Sequence, residues 1–429
     1  MIRRLLATGL IFMLFYTPPI LGHRSLRLVI PIVALFFVLH PNYFKRYFLN
    51  RNFLLQYSIW IGITIYICLV GFLSGNGAEY IAPQVYWIVS VIPASIVVLC
   101  LIQKEGLGLK GLIDCSLIAG LAQSLIAIIA LISPSVKQRL FTMMVEGHLI
   151  EEAKYIGEYY RRMYGYSGGL TFGMPALQAF LAMIALYMTI NYNKKYCLAI
   201  PFLAISAIIN ARSTIVIFAI CLIVILFQNN RNYLGKTFRL LVLCLLFTVA
   251  IALLMPTFKQ VSPNTYMWVK KGIGELLLAS TGDVSRGYFS YLFNKEKWIF
   301  PEGLGMIFGY GIRVMGNDKY GSATDVGFVN DMWFGGIIYI FVVYVLFISY
   351  CRHFKRLDWC KNVYELSNNI EGMGNYLFWS FLFNAVVLNL KTFIIDIHPL
   401  SMFFILLLIY VDLFYYWDLQ TAHTKSVLE

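Results

Sequence analysis

Residues 197–228 read CLAIPFLAISAIINARSTIVIFAICLIVILFQ, apolar on both sides of Asn210-Ala211-Arg212-Ser213-Thr214. One continuous helix here would run ~48 Å at ~1.5 Å per residue, well past the ~30 Å hydrocarbon core of a bilayer, and would carry Arg212 in its middle. Two short helices turning at 210–213 place Arg212 at a membrane face instead. The loop charges decide between them. With two helices, the basic loops Lys45-Arg46, Lys194-Lys195, Arg231 to Arg239 and Arg352 to Lys361 join Arg3 and Arg4 on one side. With one helix, the clusters at 231–239 and 352–361 move outside, against the tendency of Lys and Arg to stay cytoplasmic. The sequence therefore predicts two short helices, both termini in the cytoplasm and Arg212 at the outer face.

Composition supports the membrane that this argument presupposes. Hydrophobic residues make up 60% of the 429 positions, charged residues 13%, and mean hydropathy is +0.73. Apolar runs of about 17–21 residues recur, which excludes a soluble fold and predicts an all-α polytopic membrane protein. Breakers and apolar runs place about 12 transmembrane helices near 5–21, 26–40, 53–73, 85–102, 112–132, 171–190, 197–210, 213–228, 240–255, 331–350, 374–391 and 399–417. No internal repeat or flexible linker divides them, so residues 1–429 read as a single integral membrane domain. Leu5 to Tyr16, following Arg3 and Arg4, has the outline of a signal peptide, but Tyr16-Thr17-Pro18-Pro19 is no small-residue cleavage site. It reads as a retained helix.

The net charge of +13 matches Lys and Arg anchored beside anionic membrane lipid, and no aromatic-basic repeat points to nucleic acid. Eight cysteines, at 68, 100, 115, 197, 221, 244, 351 and 360, fall mostly in apolar runs without a CxxC pair. They read as small hydrophobes or cytosolic thiols rather than disulfides or metal ligands.

Two extended outer, periplasmic segments follow from the topology, near 133–170 and 256–330. In the first, Val136 to Met144 and Glu151 to Tyr164 repeat apolar residues at helical spacing, as an amphipathic helix on the membrane surface does. The same segment offers Arg161 and Arg162 with Tyr159, Tyr160, Tyr164 and Tyr166, a set suited to sugar stacking and phosphate binding. The second segment opens with amphipathic Met267 to Leu278 and continues Ser280-Thr281-Gly282-Asp283-Val284-Ser285-Arg286-Gly287-Tyr288. Gly282-Asp283 suits a turn, and Arg286 then lies near a helix start where backbone N–H groups and a guanidinium meet a phosphate together. A surface ion pair between Asp283 and Arg286 is the alternative.

Gly303-Leu304-Gly305-Met306-Ile307-Phe308-Gly309-Tyr310-Gly311 lacks the strand and helix context of a nucleotide loop, and no Lys-Ser or Lys-Thr follows. It reads as a turn that lets backbone approach the site, with Arg313 behind it. Asp325-Val326-Gly327-Phe328 then leads, past Asp331, into a span with Gly335-Gly336, where small residues permit close helix packing. A membrane-face arginine such as Arg212 is a functional candidate by default. Snorkelling to the interface is its simpler account.

The Asn-Ala-Arg-Ser-Thr hairpin, the Ser-Thr-Gly-x-x-Ser-Arg segment, the Gly-rich turn and Thr324-Asp325-x-Gly-Phe before Gly335-Gly336 together resemble the bacterial O-antigen polymerases (Wzy), and more distantly the O-antigen ligases. The likeness centres on residues 197–350. It implies a GT-C-like polymerase/ligase architecture in the bacterial inner membrane, a periplasmic active site, and polymerisation of oligosaccharide units carried on undecaprenyl diphosphate. By position it assigns Arg212, Arg286 and Asp325 as catalytic. It also implies the undecaprenyl-diphosphate-linked oligosaccharide, membrane lipid and a chain-length regulator protein as partners.

The residues fit that chemistry. Transfer from a lipid diphosphate expels an anionic leaving group, which arginines at the membrane surface bind and stabilise. With no Asp-x-Asp and no His/Cys cluster in either outer segment, no metal and no cofactor are expected. The base is a carboxylate, Asp325 first, then Asp283 or Asp331. The expected substrate-binding set is Arg313, Asp283, Asp331, Tyr288, Arg161 and Arg162. Two alternatives remain. A ligase would transfer glycan to lipid A core, but ligases of this superfamily typically carry a histidine in the large loop and residues 256–330 contain none. A flippase for lipid-linked oligosaccharide would show charged or broken helices within the bilayer.

Overall fold

The computed structural model describes residues 2–20, 23–77, 81–146, 161–168, 173–211, 213–228, 259–280, 294–314, 324, 326–358, 370, 372–389 and 399–415, with isolated positions 235, 238, 242 and 256. Among these residues the regular structure is helical apart from a two-residue antiparallel pairing of Pro19–Ile20 with His23–Arg24. Helices α1 (Ile2–Tyr16), α2 (Ser25–Leu39), α3 (Pro41–Phe48) and α4 (Arg51–Leu73) come first. Then α5 (Ala82–Tyr86) runs through a π-helical turn at Trp87–Val91 into α6 (Ile92–Gln103), followed by α7 (Gly108–Ile132) and α8 (Pro134–Glu146). After these come α9 (Gly173–Asn191), α10 (Ile200–Asn210), α11 (Thr214–Gln228), α12 (Pro263–Ser280), α13 (Leu304–Phe308), α14 (Gly327–Phe354), α15 (Met373–Leu388) and α16 (Pro399–Ile409).

Among the described residues, five helical stretches are long and apolar enough to cross a membrane: Phe53–Leu73, Gln84–Gln103, Gly108–Ile132, Gly173–Asn191 and Gly327–Asp358. Counting α2 and α3 as one span bent by 103° makes six. The bend was not expected from the sequence. His40 leaves helical backbone and Pro41 takes the first turn of the new helix, where a missing N–H costs nothing. The predicted turn at 210–213 is present: α10 stops at Asn210, Ala211 is extended, and α11 starts at Thr214. The predicted span 240–255 lies outside the described residues except for Val242.

The bundle is organised around α9, which is apolar on every face and 94% buried along its length, whereas α4 at the periphery is only 22% buried. In lipid, hydrophobicity alone does not pull one helix toward another, so close packing must do it. Ala176, Ala179, Ala182 and Ala185, spaced by three, give α9 small residues over half of its circumference, and neighbouring α7, α10, α11 and α16 come up against the helix. At Gly120 on α7 a Cβ would lie 2.8 Å from Leu181 and 2.9 Å from Leu203, so glycine sets that approach. Gln178, fully buried on α9, donates to the Gly120 carbonyl and to Tyr16 Oη and accepts from Ser124 Oγ, which leaves its amide satisfied away from water.

Helix ends sort into two layers. At one end, which we call the Asp412 end, Asp412 meets His353, Arg356 and Gln56, Tyr47 stacks on Phe414 and donates to Gln103, and Arg4 reaches Asp114. The basic loops around Lys45, Lys194 and Arg352 share this end, as the charge argument anticipates. At the opposite Asn210 end, Gly168 N–H bonds the Tyr16 carbonyl, Asn210 grips Met163, and Phe328 N–H donates to the Asn389 carbonyl. Cysteines 100, 115, 221 and 351 are buried and 68 and 197 half-buried, all as free thiols, and 244 and 360 lie outside the described residues.

Candidate functional site

At the Asn210 end, α12 crosses the mouth of the α10–α11 hairpin. Pro263 occupies its first turn, and Ser262 Oγ pairs with Thr265 Oγ1 at 2.7 Å. Val269, with Tyr266 and Trp268, packs on Leu131, Met163, Ile205, Ile208 and Ile209, which fixes one face of α12 to the bundle. The adjoining face carries Asn264, Met267, Trp268 and Lys271 at i, i+3, i+4 and i+7, so these side chains line up along one stripe, with Trp268 at its border with the packed face.

Residues 161–168 lie across that stripe and are held by four separate clamps. Asn210 Oδ1 accepts from Met163 N–H at 2.7 Å while its Nδ2 donates to the Met163 carbonyl at 2.8 Å. Gln123 donates to the Tyr164 carbonyl at 2.6 Å, Tyr166 donates to the Pro19 carbonyl, and Gly168 N–H donates to the Tyr16 carbonyl at 2.8 Å. Gly165 sits at φ +60°, and a Cβ there would come within 2.7 Å of Gln123 Nε2. The reversal after Tyr164 therefore requires glycine. These clamps set Arg162 over the Trp268 ring at 4.6 Å, with its guanidinium donating to Tyr164 Oη at 2.9 Å.

A cavity of about 550 Å³ opens between the two segments, lined by Arg161, Asn264, Met267, Trp268, Lys270 and Lys271. Among the described residues three cations line it and no carboxylate does, so the potential of that lining favours an anion. An indole face and a carboxamide beside the cations suit a sugar next to a phosphate. Sequence reasoning had singled out Arg161 and Arg162 but not Asn264, Trp268, Lys270 or Lys271. The i, i+3, i+4, i+7 stripe was readable, but nothing in the sequence said it would face Arg161 across about a hundred residues of chain.

The second charged group at this end is built differently. Helix α14 begins at Gly327, earlier than predicted, and Val326 is its N-cap residue. Asp331 therefore lies inside the helix rather than at the loop's edge. Its Oδ1 accepts from Arg313 at 2.9 Å and its Oδ2 from Asn389 at 3.1 Å, and Asn389 also donates to Tyr344 Oη. The side chains of Arg313 and Asp331 are 10% and 5% exposed, and the guanidinium lies 4.3 Å over the Phe334 ring. Both carboxylate oxygens are occupied by protein donors. Sequence reasoning named Arg313 and Asp331 separately, as loop residues for substrate, and had no signal for Asn389 or Tyr344.

Gly335-Gly336 does more than the expected helix-on-helix packing, which Gly335 serves where a Cβ would come within 2.8 Å of Ile67 on α4. Gly336 has φ +66° and ψ −168°, which breaks α14, and a Cβ there would meet the Ile307 carbonyl oxygen at 2.2 Å. The Gly-rich turn fits into the break. Tyr310 N–H donates to the Trp333 carbonyl at 2.7 Å and Gly311 N–H to the Phe334 carbonyl at 3.0 Å. Tyr66 Oη donates to the Gly335 carbonyl at 3.0 Å. Three consecutive carbonyls released by the break thus find donors, which a low-dielectric surrounding demands. The turn itself contains the short helix α13 between Gly303 and Gly309, both at positive φ.

Arg212, Asp283, Arg286, Tyr288 and Asp325 lie outside the described residues. Among the described residues no group of three His, Cys, Asp or Glu side chains is placed to hold a metal ion. Fold and site together define a helical protein with stretches long and apolar enough to cross a membrane and a pocket lined by cations at one end of its bundle. No protein-family model, curated protein or solved structure matches the chain.

Proposed function

We propose that the chain is a polytopic glycosyltransferase of about 12 spans in a bacterial inner membrane, with the Asn210 end at the periplasmic face. It joins undecaprenyl-diphosphate-linked oligosaccharide units into an O-antigen or related surface polysaccharide without a metal. The observation that carries this reading is the pocket whose described lining sets Arg161, Lys270 and Lys271, without a carboxylate, beside Trp268 and Asn264. Cations there hold the diphosphate of the donor, and the indole and carboxamide meet its first sugars. Arg212, next in sequence after Asn210 and Ala211, and Arg286, in the sequence that follows α12, complete the clamp on the leaving group. Asp325, just ahead of α14, takes the proton from the attacking hydroxyl. Asp331 is not that base, because Arg313 and Asn389 already hold both of its oxygens. The helical bundle, with a cation-lined pocket at its Asn210 end, supports a GT-C-like arrangement.

One observation favours a different reading. α14 is broken at Gly336 and carries a buried ion pair in its first half, the combination found where transporters bind and move their cargo. Incubating the purified protein in lipid nanodiscs with lipid-linked repeat units, and resolving the products by size, separates the readings. A ladder of lengthening glycans is the result expected. One glycan transferred per lipid A core would make the chain a ligase, and no covalent change, with movement of the lipid between leaflets in sealed vesicles, would make it a flippase.

A further inference from the structure

At the Asp412 end, far from the pocket just described, a second cavity of about 580 Å³ opens between α1, α7 and the segment 192–202. Asp114 to Leu131 on α7 covers ~26 Å at ~1.5 Å per residue, and Leu131 packs with the residues under α12, so the two cavities lie at opposite ends of the bundle. We propose that this second cavity binds an acidic phospholipid, with its phosphodiester at Arg4, Lys110 and Lys195 and one acyl chain running along α7. The inference does not rest on the glycosyl-transfer reading.

The polar rim is arranged around Asp114. Its Oδ2 pairs with Lys110 at 2.8 Å and Arg4 at 3.2 Å, and its Oδ1 accepts from Tyr196 Oη at 2.6 Å. One carboxylate thus sets two cations side by side and Lys195 adds a third, leaving two positive charges in excess. Below the rim the wall turns apolar. Leu117, Leu121 and Leu125 follow at i, i+4 and i+8 along α7, faced by Leu198 and Phe202. From Leu117 to Leu125 the wall is ~12 Å deep, close to one leaflet of a ~30 Å hydrocarbon core. Cations at the head and a leaflet-deep apolar wall match a lipid with a monoanionic head and do not match a soluble phosphate, which has nothing to place against the leucines. A zwitterionic head brings its own cation and gains little from the excess charge.

The test uses the full-length protein, delipidated in detergent and titrated with phosphatidylglycerol or phosphatidylcholine of identical chains, with bound lipid counted by native mass spectrometry. Phosphatidylglycerol is expected to bind about 10- to 30-fold more tightly, from two excess charges at a membrane surface. Lys195→Glu leaves two cations against two carboxylates and should bring that ratio close to one. Arg51→Glu, an exposed cation at the same end that does not line the cavity, should leave it unchanged. Leu198→Asp, at an exposed wall position, should weaken both lipids alike. Equal binding of the two lipids by the unmodified chain, an Arg51→Glu effect as large as that of Lys195→Glu, or full retention of lipid by Leu198→Asp would each overturn the proposal.

Discussion

Two groups of charges sit at the Asn210 end of the bundle, and the fold treats them in opposite ways. Arg313 and Asp331 are closed in, each matched by the other and by Asn389, Tyr344 and the Phe334 ring. Arg161, Lys270 and Lys271 line an open cavity with no carboxylate among them. A closed pair contributes geometry: it ties the loop behind the Gly-rich turn to the first half of α14 and to the end of α15. An open, unbalanced set has no such internal use, and in the function proposed above a ligand anion balances it. The difference separates the residues that build the site from those that serve it.

The largest expected effect comes from breaking the closed pair. Asp331→Leu leaves Arg313 buried without its counter-charge and should destabilise the protein by about 3–5 kcal/mol, read as a lower unfolding midpoint in detergent. Adding Arg313→Met should restore most of that loss, since replacing both partners removes the unpaired charge. Recovered stability with recovered function assigns the pair to architecture alone. Recovered stability with lost function would instead place Arg313 or Asp331 in the chemistry.

Next in size is the break in α14. Gly336→Ala forces a side chain into backbone geometry that costs about 1–3 kcal/mol, and its Cβ meets the Ile307 carbonyl besides. The turn 307–311 should detach from α14 and α4, visible as faster proteolysis at residues 299–311 than in the unmodified chain. Protection equal to that of the unmodified chain would mean the turn is held by something other than the glycine contact.

In the open pocket, the Lys270→Ala/Lys271→Ala double variant should keep its unfolding midpoint, because both side chains are exposed. It should bind the lipid-linked donor about tenfold more weakly, on the loss of two charge-assisted contacts. A raised KM with unchanged kcat places these lysines in donor binding, and unchanged kinetics would remove the pocket from the reaction. The smallest effect expected is from chelation: EDTA should leave turnover unaltered, because cationic side chains do the work a divalent ion would do. Loss with EDTA and recovery with magnesium would redirect attention to the acids.

How much could be read from the chain differs between these regions. The hairpin at 210–213, the amphipathic stretch opening the large loop and the positions of most helices follow from local rules: apolar run length, Pro and Gly breakers, and the side on which Lys and Arg collect. Arg161 and Arg162 were legible as candidates because two adjacent arginines among tyrosines are unusual beside a membrane. Their partners on α12 were not, since Trp268 and Lys271 read equally well as the polar stripe of any surface helix.

The sequence by itself thus determined the membrane-helical class, the turn at Asn210 and the end of the bundle on which the basic loops gather, because each depends on neighbours within one or two turns of chain. Only the tertiary structure decided that Gly336 breaks its helix, that Asp331 is tied to Arg313 and Asn389, and that α12 closes a pocket with Arg161. Those outcomes depend on which distant backbone comes close enough to supply a hydrogen bond or fill a glycine's missing side chain. A Gly-Gly pair in a span permits both tight packing and a break, and the N–H groups of Tyr310 and Gly311, arriving from another segment, make the break the satisfied alternative.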